Sequence, residues 1–388
     1  MKRCLIIGGG LAGLTAASIL SYKNINVTLI ESSPKLGGRT YSFTDKDTGT
    51  EIDNGQHIMM GCYKETLKLL NLIGAQNNFD YQKNLYLKFI DRNKSHFELN
   101  ASSSFYPFNH LFAVKNYDAL DMNDKLTFIL FLLKLPFVSK RSLRKVSVKQ
   151  WLDKENQSSN TINSFWEILC VGALNTNSAK ASALVFYEIL MQIFFKGNFA
   201  TTIILPKYGL NESIINPASS FITKNGGKII FSETVKEVVI KNKKIVEIKS
   251  DENNYNEFDY VISAIPLHAL EKIMPKENLE IDLELNYSTI LNIHIWLNKN
   301  NLQEKFYGLL NSPLHWIFVK EKHINIVISD ADYLAEKSKE EIYEFVMDEL
   351  IQYTSIVRDD IKQYKIIKAK RATFVPAITT LGKRPNSK

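Results

Sequence analysis

Gly8, Gly10 and Gly13 stand in the order G-x-G-x-x-G, and Glu31 follows them one βαβ length downstream. Each glycine has a mechanical use in gripping a diphosphate. Gly8 permits a tight strand-to-helix turn, Gly10 lets the backbone approach a pyrophosphate, and Gly13 lets the helix lie close on the strand. The amides that open the helix, those of Leu11 and Ala12 among them, would then face the phosphates together with the positive end of the helix dipole. A carboxylate at Glu31, with Ser32 beside it, can accept hydrogen bonds from a ribose hydroxyl. An acid there, where a 2′-phosphate reader would carry arginine, favours a ribose without that phosphate. FAD and NAD both satisfy these demands.

The elements that must hold these residues are a strand from Arg3 to Ile7, a helix through about Ser21 and a second strand from Asn26 to Ile30. Residues 4 to 20 carry no charge and follow Lys2 and Arg3, so they also fit the basic start and apolar core of a signal peptide. The register of strand, glycines, helix, strand and terminal acid favours the dinucleotide reading, because it supplies the context the motif requires. Directly after the second strand come Gly37, Gly38 and Arg39. Alone they would be a glycine turn with a solvated arginine. Beside the first motif, Arg39 can reach a phosphate while Gly38 keeps the backbone close to the cofactor.

The chain has 388 residues, enough for two or three domains or one large interleaved pair. Hydrophobic residues at 45% and charged residues at 23% exclude disordered, collagen-like and multispanning classes. A net charge of +7 suits an anionic surface or an acidic ligand and is too weak to indicate nucleic acid. Cys4, Cys62 and Cys170 form no C-x-x-C spacing and have no histidine pair at ligand spacing, so neither a disulfide framework nor a metal site is expected. A reducing, cytoplasmic setting follows as an expectation.

Further along, residues 64 to 75 read as a helix, and Asp121 or Asp124 can cap an apolar helix that runs to Pro136. Lys140, Arg141, Arg144, Lys145 and Lys149 follow it with no acid among them. An apolar helix beside a basic cluster suits a peripheral contact with the inner face of a membrane, and equally a core helix followed by a solvated turn. No stretch reaches the length of a membrane span. Residues 165 to 195 read as helical and rich in aromatics, a stripe more often core than ligand wall. From Gly226 the pattern alternates through KIIF, VKEVVIK and KIVEIK, a strand meander, and returns in YVISAIP. Strands around 290 to 297, 316 to 319 and 324 to 328 precede a helix from about Lys339 to Tyr353.

The combination of GGGLAGLTAA, Glu31, LGGRT and EIDNGQHIMMGCY (Glu51 to Tyr63) resembles the FAD-dependent amine oxidase and carotenoid desaturase superfamily. DNGQH followed by GCY, and FWEILCVGALNT (Phe165 to Thr176), are similar to its squalene-associated branch, the hydroxysqualene dehydroxylases. The resemblance runs from about Arg3 to about Pro376. It implies FAD as cofactor and an α/β fold, a Rossmann-like FAD-binding domain interleaved with an α+β substrate domain. The expected segments are 1–63 and 204–270 for FAD, and 64–203 and 271–370 for substrate. It implies that Gly55 and Gln56 contact the flavin and that the Val235 backbone meets the adenine. Asp53 and His57 fit either a flavin-facing role or a hydrogen-bonded strand end. His57 is the one candidate for the acid that protonates a leaving hydroxyl. The implied reaction reduces hydroxysqualene to squalene, with a carotenoid-type desaturase or an amine oxidase as alternatives. Family members continue past the ATFVPA segment into a further FAD-binding strand and helix. The tail 371–388 is expected to lack that segment, which would leave a catalytically impaired remnant as a third reading. Oligomeric state is not indicated.

Overall fold

The computed structural model describes residues 1–102, 104–274, 279 and 285–381. Two compact units emerge, each assembled from separated stretches. The first holds Met1–Asn54, Tyr63–Asp80 and Leu205–Asp282; the second holds Gly55–Cys62, Tyr81–Ile204 and Leu283–Lys388.

The first unit is built on a parallel sheet in the order Lys228–Ile230, Asn26–Ile30, Arg3–Ile7 and Tyr260–Ser263. Cys4 to Ile7 are buried without a break, as a strand covered on both faces requires. Helix Leu11–Tyr22 packs through Gly13, Leu14, Ala17, Ser18 and Ser21, a face of mostly small side chains that permits close approach. The sequence alternation places 228–231 in the meander, whereas the structure pairs Lys228–Ile230 in parallel with Asn26–Ile30. Ser232, at φ 53°, turns the chain after Ile230, so the meander starts only at Val235. Its strands are Val235–Lys241, Lys244–Ser250 and Asn254–Tyr255, and Asn242 and Lys243 at positive φ make the first hairpin turn.

The boundary expected at residue 63 differs. Residues 64–80 stay with the first unit because Asn78 Nδ2 donates to the Glu212 and Ser213 carbonyls and Lys207 Nζ donates to the Asn77 carbonyl. Residues 55–62 join the second unit because Gly61 and Cys62 donate their amides to the Thr202 and Ala200 carbonyls.

The second unit contains a seven-stranded sheet ordered Ile361–Phe374, Tyr287–Leu297, His323–Ile328, Trp316–Val319, Phe306–Leu309, Leu85–Ile90 and His96–Ala101. One face is apolar: Leu291, Ile293, Ile295, Ile324 and Ile326 pack with Ile342, Val346, Met347 and Leu350 of helix Lys339–Tyr353. That helix is fixed at its start by a capping box between Ser338 and Glu341. The opposite face carries Asn292, His294, His323 and Asn325, all buried. The strand Ile361–Phe374 runs past the expected boundary at 370, helix Ile378–Leu381 follows, and residues 382–388 of the expected tail lie outside the described residues.

Residues 165–195 do not form one helix. A π-turn over Ile162–Trp166 leads into helix Glu167–Leu174, and Asn175 in the left-handed region (φ 48°) stops it before helix Ala183–Phe194. The aromatic stripe is core here. Trp166 is fully buried, stacked on Phe128 at 4.5 Å and edge-on to Phe131 at 5.1 Å. Helix Met122–Lys134, capped by Asp121, closes this packing with Phe128, Phe131 and Leu132.

Candidate functional site

On the first unit the glycine elbow has the geometry a diphosphate needs. The strand ends at Ile7 and the helix begins at Leu11, with Gly8 between them at φ 104°, a value that disfavours any side chain. A Cβ on Gly13 would fall on the Gly8 carbonyl oxygen, far inside contact distance, whereas one on Gly10 would meet nothing closer than the Gly38 Cα at 3.9 Å. Gly13 is thus demanded by packing, and Gly10 keeps open the space in front of the helix. No side chain caps this helix and no acid stands in its first turn, so its leading amides, those of Leu11 and Ala12 included, are left to an anion.

Glu31 points at the elbow. Its carboxylate accepts the Gly9 amide at 2.6 Å, the Ser33 amide at 2.8 Å and the Ser32 hydroxyl at 3.3 Å. The second glycine turn lies against the first: Gly37 donates its amide to the Gly9 carbonyl, and Gly38 sits at φ 58° over Gly10. Arg39 follows at the exposed end of that turn. Ser232 and Glu233 donate their amides to the Ser33 and Glu31 carbonyls, which brings the start of the meander, and with it buried Val235, next to the acid. Gly8, Gly10, Leu11, Ala12, Gly13, Glu31, Ser32, Gly38, Arg39 and Val235 therefore gather on one end of one sheet. These residues fit a dinucleotide: uncapped amides for the diphosphate, a carboxylate for the ribose and a strand start for the base.

Asp53 is a structural anchor. It is buried, accepting the Ser42 hydroxyl at 2.7 Å and the Leu210 amide at 2.9 Å. Gly55, Gln56 and His57 lie on the second unit. There the Gln56 amide donates to Asn292 Oδ1 at 3.1 Å, and the Asn292 amide group is 3.5 Å from where a Gly55 Cβ would stand. His57 is half-buried, and its carbonyl accepts the Gln56 side chain at 3.5 Å. The second motif of the chain meets the same sheet. Asn175 donates to the Ser288 carbonyl and Thr373 Oγ1 and accepts the Asp330 amide at 2.7 Å, while Gly172 of helix Glu167–Leu174 comes against Trp316.

Sequence reasoning missed Asn292, His294, His323 and Asn325. A signal was present: LNIHIW and HINIVI place polar residues at alternate positions of two strands. Alternation of that kind ordinarily means a solvated face, and here that face is buried. Among the described residues, no cluster of His, Cys, Asp and Glu could hold a metal ion.

The elbow, its acid and the parallel sheet define a dinucleotide-binding oxidoreductase fold. The profile of the flavin containing amine oxidoreductases matches residues 11–365, and the chain belongs to that family. It is an FAD-dependent oxidoreductase. It is 26% identical over 383 residues to the hydroxysqualene dehydroxylase of Zymomonas mobilis subsp. mobilis, covering 98% of this chain and 89% of that protein. It is 24% identical over 253 residues to the zeta-carotene desaturase of a Synechocystis species, covering 62% of this chain and 51% of that protein. In fold it is similar to an oxidoreductase from Methanosarcina mazei, with a TM-score of 0.72 at 17% identity, covering 94% of this chain and 87% of that one.

Proposed function

We propose that this flavoenzyme acts on a long isoprenoid alcohol and reduces hydroxysqualene to squalene. The observation that carries the reading is similarity to a hydroxysqualene dehydroxylase along 98% of the chain. Both motifs that suggested this branch also touch one sheet, Gln56 at Asn292 and Gly172 at Trp316. FAD, when bound and reduced, supplies a hydride. The chain's own residues bind and orient. Leu11 and Ala12 hold the diphosphate with Arg39 beside them, Glu31 and Ser32 hold the ribose, and the Val235 backbone meets the adenine. Gly55 and Gln56 present backbone to the flavin. A carbon–oxygen bond of the substrate breaks, a carbon–hydrogen bond forms, and the oxygen leaves as water once a proton reaches it.

The zeta-carotene desaturase match favours a second reading, oxidation of a polyene by oxidised flavin. The deciding experiment mixes the anaerobically reduced protein with hydroxysqualene. Flavin reoxidation with formation of squalene is expected. Inertness toward hydroxysqualene, with flavin reduction by zeta-carotene or by amines, would establish the rival.

Contact with an anionic membrane surface accompanies this reading. Helix Met122–Lys134 exposes Met122, Leu126, Leu130 and Leu133 along one face, and Phe137 (87% exposed) follows it directly in the chain. Lys140, Arg141, Arg144 and Lys145 follow it in sequence. Scattered exposed apolar residues are ordinary, but a contiguous stripe beside cations suits a lipid interface. Among the described residues, no helix is long and apolar enough to cross a membrane. Arg141→Ser with Arg144→Ser and Lys145→Ser should weaken sedimentation with phosphatidylglycerol vesicles on the order of tenfold, at about 1 kcal/mol per basic residue before screening. Leu126→Glu with Leu130→Glu should weaken it further. Unchanged sedimentation of both would remove this face from consideration.

A further inference from the structure

The buried polar face of the seven-stranded sheet is costly unless something uses it. Asn292 and His294 alternate with apolar residues along one strand, and His323 and Asn325 do so on its antiparallel neighbour, with His294 opposite Asn325 and Trp296 opposite His323. Asn325 Nδ2 donates to Asn292 Oδ1 at 3.2 Å, and the two imidazoles share a hydrogen bond, His294 Nδ1 to His323 Nε2, at 3.1 Å. The ladder thus runs from Gln56, whose backbone N–H donates a hydrogen bond to Asn292 Oδ1, to the Trp296 ring stacked 5.1 Å from His323. Its hydrogen-bonding capacity is not used up inside the protein. Among the described residues, Asn325 Oδ1 and His323 Nδ1 are buried with no hydrogen-bond partner, and so is Gln56 Oε1. A polar group in such a place calls for a ligand or water to complete it.

We propose that this face is the subsite for the hydroxyl-bearing carbon of the substrate, with Asn325 accepting the substrate O–H and the His294–His323 pair delivering the proton that turns the leaving hydroxyl into water. The inference rests on the dehydroxylation reading above. The balance is complete. The carbon–oxygen bond breaks, the oxygen departs with its own hydrogen and the delivered proton, and the reduced cofactor supplies hydride and both electrons for the new carbon–hydrogen bond. A solvent proton restores the pair. Two imidazoles in series suit this because His323 spends Nε2 on His294 and keeps Nδ1 for the substrate, so a proton given up at Nδ1 is replaced through His294. Burial and the nearby Lys320 hold His323 down at about 4, so that ring, once charged, is a strong acid. This moves the acid away from His57.

The test uses the 388-residue, FAD-loaded, oxidised protein, which can bind hydroxysqualene without converting it. Trp296 and Trp316 share the face, so their emission reports occupancy. The wild type should bind hydroxysqualene about tenfold more tightly than squalene, the value of one well-made buried hydrogen bond. Asn325→Leu should lose that preference while binding squalene as before, which also shows that the fold survives. In the reduced protein, His323→Phe should slow reoxidation by hydroxysqualene by about 100-fold or more, as for loss of a general acid. Reoxidation by dioxygen should be unchanged, and His323→Gln, which keeps a hydrogen bond but has no titratable proton to deliver, should behave like His323→Phe. An unchanged preference in Asn325→Leu, or a hydroxysqualene rate within threefold of wild type in both His323 variants, overturns the proposal. A wild type that binds hydroxysqualene but never reduces it overturns the reaction and the proton role, while the binding ratio in Asn325→Leu still decides the subsite.

Discussion

Gly13→Ala is expected to abolish FAD loading, and Gly10→Ala to weaken it while leaving the fold nearly as stable as before. The two glycines are three residues apart in one motif, yet the structure assigns them different work. At Gly13 a methyl group would land on the Gly8 carbonyl oxygen. Relief requires the helix to lift from the strand, which moves the amides of Leu11 and Ala12 away from the line of the diphosphate. Overpacking of that kind costs about 3 kcal/mol of stability. At Gly10, with φ −72° and ψ 179°, alanine is sterically ordinary, and its Cβ has open space around it. Removing glycine from an N-cap costs under about 1 kcal/mol. That open space is what the diphosphate needs, so FAD should bind on the order of 100-fold more weakly, as for loss of close backbone approach to a phosphate. Thermal melting of flavin-free protein and titration with FAD separate the two effects. Equal melting temperatures for both variants would contradict the assignment of Gly13 to packing. Undiminished FAD affinity in Gly10→Ala would contradict the diphosphate seat.

What the sequence could disclose was set by distance along the chain. The elbow, its helix and the strand ending before Glu31 lie within about thirty residues, so hydrophobic runs and glycine spacing specify them locally. Lys228–Ile230 was misplaced because its partner, Asn26–Ile30, lies some two hundred residues earlier, and three residues of alternation cannot tell a parallel core strand from a hairpin arm. The helix break at Asn175 was hidden for a related reason. Asn175 opens the polar stretch Asn-Thr-Asn-Ser, a weak stop signal between two aromatic-rich runs, and the groups that hold it left-handed come from Ser288, Asp330 and Thr373. The imidazole pair shows the limit most plainly. His294 and His323 are single histidines in separate strands with no ligand spacing between them, and only the antiparallel register makes them neighbours.

Acid should destabilise this protein well before its carboxylates protonate. His110, His315 and His323 each titrate near 4 in the folded chain, against an ordinary value of 6.5, because burial disfavours the imidazolium. Lys320 adds to the effect at His323, which also shares its hydrogen bond with His294. His315 Nδ1 accepts the Ser329 amide at 3.0 Å, an interaction that protonation would destroy. Among the described residues His110 has no hydrogen-bond partner on either ring nitrogen, and it lies edge-on to Tyr106 and Phe194. In the unfolded chain all three accept protons near 6.5, so between about 6.5 and about 4 the unfolded state binds more protons than the folded one. Folding stability is therefore full above that window and is lost as pH falls through it. A shift of this size corresponds to roughly 3 kcal/mol per histidine at most, so urea unfolding at steps from pH 7 to pH 4 should lose several kcal/mol. His110→Phe isolates one share of the loss. An apolar ring fits between Tyr106 and Phe194 and carries no proton, so the variant should match or exceed wild type at pH 7 and lose about a third less between pH 6.5 and pH 4. If wild type and His110→Phe instead declined in parallel across that window, the buried imidazoles would not be the groups that set its acid limit.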